Sequence, residues 1–187
     1  MGFVRVHFIP YVQELGFSHV MNASANFTMA LLGIVGALLA GTVSDRLGRR
    51  RPTSVTYALR GGAYVGLIGL ALWPTPLALY ASIILMGLSW SSTISLVSTT
   101  CTDLYGRRSQ GSVLSVVFSV MSWGVALGAW IPGVLYDYTG TYQLALLVNV
   151  VIAWVASVLV LGLREWWEWS ASRGSQPGAV IRTAAST

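Results

Sequence analysis

The sequence predicts an all-α integral membrane protein: five transmembrane helices preceded by a partial N-terminal helix. Three observations carry that expectation. Mean hydropathy is +0.68 and only 9% of the 187 residues are charged, whereas soluble domains carry roughly 25%. Five stretches, near 21–43, 53–73, 77–101, 112–134 and 143–163, are long enough to cross a hydrocarbon core that needs roughly 20 apolar residues per helix. The charge lies between them, with Arg46, Arg49, Arg50, Arg51, Arg107, Arg108, Arg164, Arg173 and Arg182 all in connectors or the tail.

Taken in order, "MGFVRVHFIPYVQELGFS" is too short to span, and Arg5 and His7 interrupt its apolar run. It has no small-residue cleavage site of the secretory type. Residues 1–20 therefore read as the stub of a truncated helix and an outer loop. Residues 21–164 form the five-helix bundle, and 165–187 a cytoplasmic tail, largely disordered, behind the interfacial aromatic run "REWWEW". The connectors alternate: Arg46 to Arg51 follow the first span, "WPTP" has no charge, Arg107 and Arg108 follow the third, and "YDYTGTY" holds only Asp137. Arginine marks cytoplasmic loops, so the first span runs inward and the C-terminus is cytoplasmic. Of the two arginines outside connectors and tail, Arg5 falls on the outer side. Arg60, about two turns into the second span, is expected to snorkel to the cytoplasmic face.

The composition excludes other classes. A charge of +5 suits a membrane surface better than nucleic acid, because there is no lysine and nine of the eleven arginines lie in connectors or the tail. Cys101 is alone, so no metal framework or intrachain disulfide can be drawn. No metal, cofactor or catalytic site is expected, since the acids sit in loops, span ends or the tail and no histidine is mid-span.

Small and polar residues recur at three- and four-residue steps, on one helix face, in three spans. These are Asn22, Asn26, Ala30, Gly33, Ala37 and Gly41; Ser82, Ser89, Ser92, Thr93 and Thr99; and Ser112, Ser115, Ser119, Ser122, Ala126, Ala129 and Gly133. Each stripe suits close helix packing or a shared aqueous cavity. Gly62-x-x-x-Gly66 and Gly124-x-x-x-Gly128 match the close-approach pattern, and Pro132 is placed to kink the fourth span.

The stretch "GTVSDRLGRRRP", residues 41–52, contains Gly41-x-x-x-Asp45-Arg46-x-Gly48-Arg49-Arg50. It resembles the G-x-x-x-D-R-x-G-R-R loop signature of the major facilitator superfamily, which recurs once in each six-helix half. "PYVQELGFS" resembles the outer loop that opens a half, "DLYGRRSQGSVLS" the loop entering the eleventh helix, and "PGVLYDYTGTY" the outer loop between the last two helices. The likeness extends to about residue 164. It implies half of a twelve-helix fold: the stub of the seventh helix, then the eighth to the twelfth. In that family the seventh, eighth, tenth and eleventh helices line the path, and the three polar stripes fall on three of these.

What the resemblance implies about function is transport of a small solute by alternating access, in a bacterial cytoplasmic membrane. The partners are the lipid bilayer, the solute and an N-terminal half absent from this chain; the alternative is a non-transporting scaffold. The loop residues Gly41, Asp45, Arg46, Gly48, Arg49 and Arg50 are the candidate gate, with Asp45 placed against a helix N-terminus of the other half. Asn22, Asn26, Ser89, Ser92, Thr93, Ser115, Ser119 and Ser122 are the candidate substrate path. Some branches that carry anions place a basic residue mid-way along the eighth or eleventh helix; neither helix has one here.

Overall fold

The computed structural model describes residues 2–162; the tail expected at 165–187 lies outside them. Helices α1 (Gly2–Val6) and α2 (Phe8–Glu14) form the short N-terminal pair. The break between them has a simple cause: Pro10 has no N–H to donate to the Val6 carbonyl one turn back. Hydrogen bonds from His7 N to Phe3 O (2.7 Å) and from Tyr11 N to His7 O (3.0 Å) keep the two pieces in line.

Helix α3 (His19–Leu47) starts at Ser18, whose hydroxyl accepts from Met21 N at 3.2 Å, and stops at Gly48. Helix α4 (Arg50–Leu72) follows after a two-residue turn. Helix α5 (Pro76–Thr139) begins with Thr75 capping Ala78 N and Pro76 in the first turn, where proline's missing donor costs nothing. It holds two spans, Pro76–Asp103 and Ser109–Thr139, parted where Gly106 turns to φ 74°. These are its N-terminal and C-terminal limbs. Pro132 is buried within the second limb, and the helix runs through it to Thr139, ending at the left-handed Gly140. Helix α6 (Gln143–Gly162) completes the set. The five expected spans are thus all present, together with the partial N-terminal helix, in an all-α fold of the described residues.

Helix α3 packs on the N-terminal limb of α5, α4 lies between α5 and α6, and α1 leans on the C-terminal limb. The core holds Phe3, Tyr11, Val12, Tyr64, Leu67, Leu70, Leu79, Ile83 and Leu146. Small residues set the spacing, but not all of the pairs that the G-x-x-x-G pattern picks out. Gly36 lies directly on the Leu88 backbone and Gly87 on Met29 and Leu32; Gly66 meets Ser82 and Gly128 meets Gly2, while Gly124 has nothing beside it. Helices α4 and α6 are also tied by a reciprocal pair, in which Ser54 Oγ donates to Ser157 O and Ser157 Oγ to Ser54 O, each at 2.9 Å. Such polar pairs take the place of the hydrophobic driving force that lipid does not supply.

Candidate functional site: a charged loop and a polar helix face

Gly48 closes α3 with φ 81° and ψ 174°, a backbone state that costs L side chains dearly and glycine little. The turn swings Arg49 back over the end of its own helix and toward α5. Its Nη1 donates to Asp45 Oδ1 at 2.8 Å and to Ser44 Oγ at 2.6 Å, and its Nε to Asp103 Oδ2 at 2.8 Å. One guanidinium thus joins the loop after α3 to the break in α5. Partial burial lowers the pKa of Arg49, and the hydrogen bonds to Asp103 and Asp45 outweigh it, so the net shift is upward. The arginine stays charged at any physiological pH.

Of the remaining loop residues, Gly41 faces open space and Arg46 is exposed, while Arg50 and Gly48 are half-buried. Asp45 is 68% exposed despite its bond to Arg49, which leaves a carboxylate edge open to a further partner. Sequence reasoning missed Asp103. The signal was present: Asp45-x-x-Gly48-Arg49-Arg50 recurs as Asp103-x-x-Gly106-Arg107-Arg108. The two glycines share a backbone state, with Gly106 at φ 74° and ψ 165°.

The polar stripes have different settings. Asn22 is buried, and its Nδ2 donates to the Ile9 carbonyl at 3.1 Å, tying α3 to α2. Half-buried Asn26 donates to the Asn22 carbonyl. Ser89, Ser92 and Thr93 are each under 5% exposed, enclosed by helix packing rather than open to a path. Their hydroxyls donate to carbonyls of their own helix, Met86, Leu88 and Ser89. Ser115, Ser119 and Ser122 are exposed, and each donates to the carbonyl four residues back at 2.8–2.9 Å. At 100° per residue they form a stripe roughly a quarter turn from the apolar one of Val116, Val120, Trp123, Leu127 and Trp130. Toward its outer end the serine face is covered: Gly133, on the same stripe, lies beside the His7 ring, and His7 Nε2 donates to the Ala129 carbonyl at 2.8 Å.

Arg60 corrects an expectation. It does not snorkel but is 6% exposed, on the buried face with Thr56, Ala63, Leu67 and Leu70. Its Nη2 donates to the Ser89 carbonyl at 2.6 Å and to Thr93 Oγ1 at 2.8 Å, and the guanidinium lies 5.7 Å from the centre of the Tyr57 ring. The α4 periodicity would have placed it: 56, 60, 63, 67 and 70 share one stripe. A cation on that stripe is held by acceptors of the neighbouring helix instead of reaching for the membrane surface. Among the described residues, no cluster of three or more His, Cys, Asp or Glu could hold a metal ion.

Comparison with known proteins gives this geometry a context. The family model described as Major Facilitator Superfamily matches residues 3–179. An uncharacterized MFS-type transporter, YcxA of Bacillus subtilis, is 29% identical over 164 residues, covering 86% of this chain and 40% of that protein. Monocarboxylate transporter 12 of Xenopus laevis is 30% identical over 86% of this chain and 35% of its own length. Monocarboxylate transporter 12-B of Danio rerio is 27% identical over 73% of this chain and 29% of its own length. The chain therefore spans less than half of each of these relatives. With five apolar spans and a family match over nearly its whole length, this chain is a multi-pass membrane protein that belongs to the major facilitator superfamily.

Proposed function

We propose that the chain is the C-terminal half of a secondary transporter, moving a small solute across the membrane by alternating access. The observation that carries this reading is the Ser115–Ser119–Ser122 face, open along a membrane-spanning helix. Its hydroxyls are already bonded to their own backbone. Such a face is polar enough to border water yet holds no unpaired group that would bind a solute too tightly to release it. Asn26 is the member of the path on α3, while Asn22 ties α3 to α2, and Ser89 and Thr93 hold Arg60 of α4.

The loop of Gly41, Asp45, Arg46, Gly48, Arg49 and Arg50 supplies the gate. In one state the exposed edge of Asp45 meets a helix N-terminus of an N-terminal half. That contact stabilises by about 0.3–1 kcal/mol, and up to about 2 when partly buried. The arginine-bearing loops face the cytoplasm, in a bacterial cytoplasmic membrane. Monocarboxylates are the first solute class to try, because two of the relatives are named for them. Against that class, α3 and the C-terminal limb of α5 carry no cation between their ends, and buried Arg60 lies on α4.

The test is uptake by membranes containing this chain joined to an N-terminal half, offered radiolabelled monocarboxylates, sugars and cationic drugs. Uptake of one class, lost in Asp45→Asn at equal expression, is the expected result. No uptake of any class by correctly inserted protein contradicts the transport reading; unchanged uptake in Asp45→Asn removes the gate alone.

A further inference from the structure

A second feature lies apart from the polar face. Helices α3 and α4 are consecutive yet touch only sparingly, since α3 packs chiefly on α5 and α4 is taken up between α5 and α6. Between them runs an apolar groove of about 230 Å³. Gly36, Leu39, Ala40, Val43 and Leu47 form one wall, Val55, Thr56 and Leu59 the other, and Leu88 and Ser92 of α5 the floor. Its polar lining is already committed, for Thr56 Oγ1 donates to the Thr53 carbonyl and Ser92 Oγ to the Leu88 carbonyl. A polar solute would find no free hydroxyl donor along the walls and would lose its water.

The groove has a length and a charge pattern. From Gly36 to Leu47 the helix rises about 16 Å, close to half of a hydrocarbon core about 30 Å thick. Measured from the turn at 48–49, that length matches the depth of one leaflet. At its mouth stands Arg51, exposed, with Arg46 exposed on the last turn of α3. Leu39, Val43, Leu47 and Val55 along the walls are all exposed too. A leaflet-deep apolar slot with a cation at headgroup height matches one ligand chemistry above others.

We propose that this groove is a binding site for an anionic phospholipid of the adjoining leaflet, with one acyl chain along α3 and α4 and the headgroup phosphate on Arg51. Apolar contact along the slot provides retention; Arg51 provides selection for a negative headgroup. The site is separate from the serine face and does not depend on which solute is carried.

The test is native mass spectrometry of the purified protein with chain-matched phosphatidylglycerol or phosphatidylcholine. One phosphatidylglycerol per protein should be retained about fivefold more than phosphatidylcholine, the effect of one arginine beside a lipid headgroup. Arg51→Gln should abolish that preference while keeping both lipids at the lower level. Leu39→Trp, at an exposed position where folding is not at stake, should fill the slot and reduce both, and Val43→Trp should do the same from one turn closer to the mouth. Equal retention of the two lipids by the unaltered protein, or undiminished retention in both tryptophan variants, would overturn the proposal and leave the groove to a protein segment.

Discussion

Removing either end of the Arg49–Asp103 bond should uncouple two loops that lie 54 residues apart in the chain. The two carboxylates on Arg49 are not equivalent. Asp103 is 36% exposed and Asp45 68%, against 22% for Arg49 itself. Exposed ion pairs contribute about 0.2–1 kcal/mol, and i,i+4 pairs about 0.3–0.5. The Arg49–Asp103 pair, better shielded and with a hydrogen bond of 2.8 Å, belongs at the top of that range, near 1 kcal/mol. Arg49–Asp45 belongs near 0.4 kcal/mol. A double-mutant cycle separates them: Arg49→Ala, Asp103→Ala and the pair of changes together, with a parallel cycle through Asp45→Ala. Unfolding free energies come from SDS titration in mixed micelles. The Asp103 coupling should be about twice the Asp45 coupling, and both should shrink as ionic strength rises. A coupling to Asp103 indistinguishable from zero, or smaller than that to Asp45, would refute the view that Arg49 clasps the two loops.

Two glycines on α3 should respond in opposite directions to the same change. Gly36→Ala drives a Cβ into the Leu88 backbone and should cost about 1–3 kcal/mol; Gly41→Ala meets nothing within 4 Å and should stabilise by up to about 1 kcal/mol, both read by thermal unfolding. Arg60→Met should leave stability within about 1 kcal/mol of the parent. Removing a buried cation relieves its desolvation while forfeiting two hydrogen bonds, and a volume-matched apolar replacement is often neutral. A loss above about 3 kcal/mol in the same assay would show that the contacts with Ser89 and Thr93 outweigh that penalty.

What the sequence made legible was whatever depends on neighbours along the chain. Span length is local, so the five helices could be placed from apolar runs alone. Turn chemistry is local too: Gly48 and Gly106 stand where the backbone must leave helical geometry. Contacts between helices obey other rules. Gly87 and Gly36 are unremarkable in their own segments and matter because each faces the backbone of the other's helix. Gly124 satisfies the small-residue spacing but happens to face no neighbour. The buried stripe of α4 would have placed Arg60, but the acceptors that hold it, Ser89 and Thr93, lie about thirty residues on. Asp103 was legible as the repeat of the Asp45 pattern, but its pairing with Arg49 depends on α5 bringing the two loops together. The serine stripes show the same limit, since one periodicity describes the enclosed Ser89 and Ser92 and the open Ser115, Ser119 and Ser122.

The most direct test of the account is whether water reaches that open face inside the membrane. Single cysteines at Ser115, Ser119, Ser122, Val116 and Val120, in a Cys101→Ala background, can be offered a membrane-impermeant maleimide in native membranes. Labelling at the three serine positions, slowed by transported solute, with Val116→Cys and Val120→Cys unreactive, is the predicted result. Equal reactivity of the serine and valine positions, or none at either, would contradict a transport path along this helix.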